Sequence, residues 1–307
     1  MKIALCFIIN YDHILNKEHI WREWIKYNQD IINVYFYYKD FNKIKSSWIK
    51  KHGIPTNYIY PTTYYHVIPA YLSLMNYAMT HDRDNMWFCF LTDSCCPIIS
   101  PIRFRTLFTI HYKKSIFSWK QAWWNPYYHK RANLLKLPKN LWLANDAWFT
   151  LTRNHVIQII KKHSSNHQHI IKTICDGGLA NETLFAVILY LNNLLDDNTI
   201  IKQPTHIIDW NRLSSPTSPH VFKEGNDKDK NFITNELNKN EYSMFIRKID
   251  INFPDDVLNF YIYKFNEKKD KILERNYIFY KYLQMSYLLF FMAGIFIFSI
   301  YFHNLNR

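Results

Sequence analysis

Glycine is scarce in this chain of 307 residues: there are five, where ordinary usage would give about 21. They are Gly53, Gly177, Gly178, Gly225 and Gly294, and no two are spaced G-x-G. That excludes the glycine fingerprint of dinucleotide folds, the Gly-rich loop of kinases and the Walker A loop. Cysteine is also sparse, with five residues, an odd number, and C-x-x-C is missing. A zinc site or a disulfide scaffold therefore has little support, and buried free thiols on a reducing side are expected. No block of five or six like charges occurs, which argues against a dedicated nucleic-acid arm. A hydrophobic content of 48% with 21% charged residues excludes wholesale disorder.

What is present is a basic, aromatic-rich chain. Lys and Arg number 38 against 25 Asp and Glu, a net charge of +13. Such a balance suits an anionic partner. It suits simple AT-rich coding bias better, given the excess of Ile, Asn, Lys and Tyr over Gly and Ala. From Tyr282 to Phe302, 21 residues pass without a formal charge, enough to cross a hydrocarbon core of roughly 30 Å as a helix. The preceding stretch carries Lys264, Lys268, Lys269, Lys271, Arg275 and Lys281. The positive-inside tendency puts that side, and the domain before it, in the cytosol. The N-terminus reads as a buried strand, not as a cleaved signal. The expected division is a catalytic-size domain over 1–263, a basic juxtamembrane linker over 264–281, a membrane helix over 282–302 and a short tail over 303–307.

Within the domain, strands are expected at Ile3–Ile9, Asn33–Tyr38, Met86–Leu91, Asn145–Thr152 and Ser243–Arg247. Helices are expected at Glu18–Tyr27, Ile68–Met79, Asn154–Lys162 and Thr183–Leu194. Ser214–Asn238, rich in Pro, Ser, Asn and Lys, reads as a mobile loop. Alternating strands and helices predict an α/β fold with a mostly parallel central sheet. Ligands in such sheets bind at the carboxyl ends of strands. Thr92, Asp93 and Ser94 follow a buried strand and are a candidate ligand loop, or a turn whose Asp caps a helix. Asp82-Arg83-Asp84 precedes that strand and reads as an exposed loop. Glu182 is either a site carboxylate or a residue stabilised at a helix N-terminus. Asp209-Trp210-Asn211-Arg212 offers an indole beside charges, as sugar-binding surfaces do. Arg247-Lys248 at a strand end can neutralise phosphates or be solvated.

These segments, in this order, resemble the core-2/I-branching β-1,6-N-acetylglucosaminyltransferase family and its plant relatives. The resemblance runs from about Lys2 to Asp250. It is carried by KIALCFIINYD, WFCFLTDSCCPI, LANDAWFTLTRNHVIQII, LANETLFAVIL, HIIDWNR and MFIRKID. It implies a GT-A-like nucleotide-sugar-binding domain that inverts configuration and needs no metal or other cofactor. The implied donor is UDP-N-acetylglucosamine and the implied acceptor a glycan or glycoprotein, with a β-1,6 branch as product. It implies that Glu182 is the base and that Lys248, with Arg247 and Arg212 beside it, receives the leaving diphosphate. Trp210 and Arg131 match acceptor contacts, and Thr92, Asp93, Ser94, Asp146 and Trp148 fall in the donor or acceptor pocket. Two departures stand out: the family's D-E-H becomes Asn181-Glu182-Thr183, and its G-S becomes Asn145-Asp146. A membrane-anchored glycan-binding domain without catalysis is the main rival; a nucleic-acid binder is the lesser one, and no nucleic-acid partner is expected.

Overall fold

The computed structural model describes residues 1–9, 11–162, 167–195, 198–215, 217–275, 277–279 and 286. The strands are β1 (Lys2–Ile8), β2 (Ile32–Tyr37), β3 (Asn85–Thr92), β4 (Cys96–Pro97), β5 (Ser115–Ile116), β6 (Trp119–Gln121), β7 (Leu143–Asn145), β8 (Thr150–Thr152), β9 (Ile200–Ile201), β10 (His206–Ile208) and β11 (Phe245–Arg247). The helices are α1 (Glu18–Lys26), α2 (Ser47–His52), α3 (Ile68–His81), α4 (Pro101–His111), α5 (Arg153–Lys162), α6 (Gln168–Cys175), α7 (Leu184–Leu191), α8 (Asp227–Lys239) and α9 (Asp255–Asn259).

The architecture is α/β with a mixed, mostly parallel central sheet in the order β2-β1-β3-β8-β5-β9. The pairs β1/β2, β1/β3 and β5/β9 are parallel, and β8 runs antiparallel to both β3 and β5. A smaller sheet, β10-β11-β4, and the ribbon β6-β7 complete it. The unbroken apolar runs of β1 and β3 follow from burial on both faces. Ile3, Leu5, Phe7, Trp87 and Leu91 enter one core with Trp21, Trp24, Phe104 and Phe245. Ala4, Cys6, Phe88 and Phe90 enter a second core with Tyr71, Phe149 and Phe185. The period of two sorts one strand between two cores.

Two expectations are corrected. Ser214–Asn238 is not a loop throughout, because it contains the 13-residue helix α8. The Asn226 side chain caps α8 by accepting from Asp229 N at 3.1 Å, and Asp229, Ile233 and Leu237 form its buried face. Asn145–Thr152 is not one strand: β7 and β8 belong to different sheets, and the link between them changes layer. Asp82 binds Lys2 at 2.9 Å and Asn33 at 2.9 Å, at the amino end of β1 and β3 and away from their carboxyl ends. All five cysteines are free. Among the described residues no helix is long and apolar enough to cross a membrane. The expected membrane helix 282–302 lies outside the described residues, apart from Ser286. The segment before it rests on the domain: Arg105, ion-paired with Asp30, donates to the Tyr277 hydroxyl at 3.0 Å.

Candidate active site

The first half of the site grows from strand ends. Strands β10 and β11 are parallel, with Ile208 opposite Arg247, so Asp209-Trp210 and Lys248 leave the sheet at the same edge. Antiparallel β4 brings the loop after β3 to that edge, where Ile249 N donates to Ser94 O at 2.9 Å. The loop after β1 joins them: Asn16 N donates to Asp93 O at 2.9 Å, and Asn16 Nδ2 to Ile249 O at 2.8 Å. Trp21 in α1 steadies this junction by donating to Cys95 O at 2.9 Å.

Arg247 is 5% exposed, and its guanidinium lies over the Trp148 indole, 3.3 Å from the ring centre. Burial pulls its pKa below the ordinary arginine value, and the proximity of Cys95, Asp93 and Tyr71 offsets part of that pull. Lys248 is half-buried, with Nζ 3.4 Å from Ser218 Oγ. Burial lowers its pKa, the Arg247 charge lowers it further, and Asp93 opposes both. Two adjacent cations with one acidic neighbour make a receptor for an anion. Buried His206, held neutral by desolvation and by Arg247, floors this half.

The second half centres on Glu182, in the short 3-10 turn Ala180–Glu182 that precedes α7. Its carboxylate is ion-paired with Arg131, and both side chains are mostly buried. Arg131 also lies over the Trp124 ring at 4.2 Å. The turn and the Arg131 segment are pressed together at Gly177 and Gly178. A Cβ on Gly177 would meet Asn133 N at 2.4 Å, and one on Gly178 would meet His129 O at 2.7 Å, so no side chain fits at either. Ala132 N donates to Gly178 O at 2.8 Å, and Gly178 N to His129 O at 3.1 Å. His129, Lys130, Ala132 and Asn133 are all left-handed, with φ of 47–49°, a conformation that costs roughly 1–3 kcal/mol per residue and concentrates at functional sites. Asn145 fixes the turn from below: Nδ2 donates to Asn181 O at 2.9 Å, and Oδ1 accepts from Ala186 N at 3.2 Å. Its neighbour Asp146 has its pKa pushed up to about 6, chiefly by burial, with the Glu182 charge adding and Ser118 and Lys120 opposing.

Tyr71 joins the halves. Its hydroxyl donates to Ala147 O at 2.7 Å, and both Arg247 and Glu182 act on its ionisation. Among the described residues eight buried side-chain polar atoms lack a partner, and six of these belong to the two halves: Arg131 Nε, Trp148 Nε1, Asn181 Oδ1, Thr183 Oγ1, His206 Nε2 and Arg247 Nε. Such a concentration points to a place where a ligand binds.

Asp93, Trp148, Arg247 and Lys248 thus come together in one half, and Arg131, Asp146 and Glu182 in the other. Thr92 and Ser94 shape the loop: Thr92 Oγ1 lies 3.3 Å from Cys95 Sγ, and Ser94 supplies its carbonyl. The loop caps no helix, since Ser100 caps α4. Trp210 is 52% exposed on the adjoining loop. Arg212 stands differently from the sequence expectation. Its Nε donates to Asp209 at 2.5 Å and its Nη1 to Asp229 at 2.8 Å, so it clamps the loop to α8. Tyr71, Trp124, Asn145 and His206 were not legible as site residues; Asn145 alone left a trace, in the departure from G-S. A cavity of about 960 Å³ lies elsewhere, between α3 and α6, lined by Leu72, Ile160, Ile171 and Cys175. Among the described residues no three His, Cys, Asp or Glu side chains gather as a metal-binding group.

A model of the Core-2/I-branching enzyme family matches residues 32–240, two thirds of the chain. The matched span includes Arg131, Asn145, Trp148, Glu182 and Trp210 and stops short of Arg247 and Lys248. No curated protein matches the chain.

Proposed function

Because the chain belongs to the Core-2/I-branching enzyme family, and so is a glycosyltransferase, we propose that it moves a sugar from a nucleotide diphosphate onto a glycan hydroxyl, with inversion and without a metal. The observation that carries this reading is one buried tyrosine, Tyr71, close enough to both halves that the Arg247 cation and the arginine-held Glu182 carboxylate each act on it. An acceptor hydroxyl is a poor nucleophile until a base takes its proton as the bond forms. Glu182 is that base, and Arg131 orients it. The leaving diphosphate gains charge, and Lys248 with Arg247 stabilises it. Asp93 tempers those cations, and Trp148 supports the Arg247 plane. Arg212 is left out of the donor site because Asp209 holds its Nε and Asp229 its Nη1, although its Nη2 has no partner. Trp210 offers an exposed indole to the acceptor.

The proposed donor is UDP-N-acetylglucosamine and the proposed product a β-1,6 branch, both on the family resemblance. The domain 1–263 is proposed to be GT-A-like. The segment 282–302 is proposed to hold it at a bilayer, on the cytosolic side, through the basic linker 264–281. A second reading, a glycan-binding domain without turnover, draws on the ion pair itself, since a carboxylate engaged by arginine is a weaker base. Glu182→Gln separates the two. Nucleotide affinity should persist and the transfer rate should fall by about 10²–10⁴-fold. Unchanged transfer in this variant removes Glu182 as base, and absence of transfer in the unmodified protein, across a panel of nucleotide sugars, favours the binding reading.

A further inference from the structure

The chain between the domain and the uncharged run 282–302 is not a free tether. Residues 267–275 and 277–279 are helical. Asp270 is 9% exposed, and Leu273 and Tyr277 are partly buried. Their spacing of three and four residues puts them on one face, and that face rests on the domain beside α4. The Ser100 hydroxyl donates to the Asp270 carboxylate. Arg105 donates to the Tyr277 hydroxyl at 3.0 Å, and its guanidinium lies 5.2 Å from the centre of the Tyr277 ring. Arg105 is itself ion-paired with Asp30 and bonded to Asn28 at 2.8 Å, so the grip on Tyr277 has a fixed base.

Half a turn round from that face stand Lys268, Ile272, Arg275 and Phe279, at intervals of four, three and four residues. Ile272 is 57% exposed and Phe279 63%, and Lys268 and Arg275 are exposed as well. The stripe holds two cations, two large apolar side chains and no acid. Besides Asp270, the acids of this helix are Glu267 and Glu274, and both line the cleft between the helix and Tyr27. Glu267 is also ion-paired with Lys271 at 2.6 Å. A helical face that alternates long cationic side chains with apolar ones suits the boundary of a bilayer. The apolar groups enter it while lysine and arginine stay level with the headgroup phosphates. Charge complementarity selects an anionic surface. The chain that follows points the same way, since the uncharged run of 21 residues begins three residues after Phe279.

We infer that this helix lies along an anionic bilayer surface on Lys268, Ile272, Arg275 and Phe279 while its opposite face stays docked to the domain. The inference rests on the reading of 282–302 as a bilayer anchor and adds an orientation to it. The helix is a spacer: its own width of about 10–12 Å sets the domain's distance from the headgroups. Arg105 and Tyr277 then set which side of the domain faces the bilayer.

The test uses the full chain in vesicles of phosphatidylcholine, alone or mixed with phosphatidylserine. In a Cys175→Ser background, where the remaining four cysteines are buried, Ile272→Cys and Glu274→Cys each carry an environment-sensitive fluorophore. In the mixed vesicles the probe at 272 should take the emission of an apolar setting and be quenched by spin-labelled lipid, whereas the probe at 274 should stay in water. Lys268→Gln and Arg275→Gln should each lower the ratio of seated to unseated helix about fivefold, the share of one basic residue at such a surface. Depth that follows position along the chain instead of face, with 274 at least as deep as 272, overturns the proposal. So does a 272 probe that stays in water, or a signal indifferent to phosphatidylserine or to both substitutions. Failure of the anchor reading looks different: the chain would float with the mixed vesicles and not with phosphatidylcholine alone, while the 272 probe still reported the surface.

Discussion

Asp146 is a carboxyl group that folding keeps from ionising. Its pKa rises from 3.8 to about 6, chiefly because the folded chain removes water from it, and the Glu182 charge adds to the effect. In the unfolded chain the group loses its proton near pH 4. Between there and pH 6 the unfolded state is ionised while the folded state is not, so stability falls as pH rises across this window and then levels off. The sign is opposite to that of an ion-paired carboxylate, which gains stability over the same range. A shift of this size corresponds to about 3 kcal/mol once the group must ionise. Asp146→Asn keeps the shape and an acceptor for Ser118 but carries no charge. The variant should match the parent below pH 4 and exceed it in stability by about 2–3 kcal/mol at pH 7.5, a melting temperature about 4 °C higher for a chain of this length. The assay is thermal unfolding of both proteins from pH 4 to pH 8, plotted as the difference. A flat difference across that range, or a variant that loses stability as pH rises, refutes the argument.

Three further outcomes are expected. Gly177→Ala drives a Cβ toward Asn133 N and pushes away the segment that carries Arg131; both transfer rate and melting temperature should fall, and a variant with parental turnover would show that the clamp does not matter. Arg212→Leu leaves Asp209 and Asp229, 1% and 2% exposed, without their cation, at a cost of about 3–5 kcal/mol; the folded fraction should still bind nucleotide, and loss of that binding would restore Arg212 to the donor site. Transfer should continue in excess EDTA, and Lys248→Ala should lower kcat/KM by about 10²-fold; strict dependence on a divalent ion would refute this arrangement.

The central strands could be read from the sequence because burial on two faces leaves an uninterrupted apolar run in β1 and β3. Helix α8 could not be read from composition, which is polar at ten of its thirteen positions. Its signal was spacing alone, since Asp229, Ile233 and Leu237 repeat every four residues along one face. The split between β7 and β8 was hidden for a different reason: Ala147, Trp148 and Phe149 look like strand residues even while the chain crosses between sheets. Arg131 and Glu182 are 51 residues apart; the residues alone singled out Glu182, and only the family resemblance suggested Arg131; the ion pair depends on two glycines that leave room for backbone contact. The clamp formed by Arg212 was not legible because one of its two carboxylates, Asp229, lies 17 residues further on, beyond what local pattern can reveal.

The two halves of the site stand on different foundations. Arg247 and Lys248 end a strand whose Phe245 and Ile246 belong to the core containing Trp21 and Trp24. Glu182 lies between Ala180 and Leu184, which belong to the core on the other face of the sheet, with Tyr71 and Phe185. The link from Asp146 to Phe149 passes between these foundations and carries Trp148 under one half and Asp146 under the other. The proposed diphosphate half and the proposed acceptor half can therefore drift separately as either core changes. On the proposed assignment, a chain of this architecture could alter which glycan it accepts by repacking around Phe185 while its grip on the diphosphate stays fixed, whereas changes in that four-residue link, or in Tyr71 bonded to it, would shift both together.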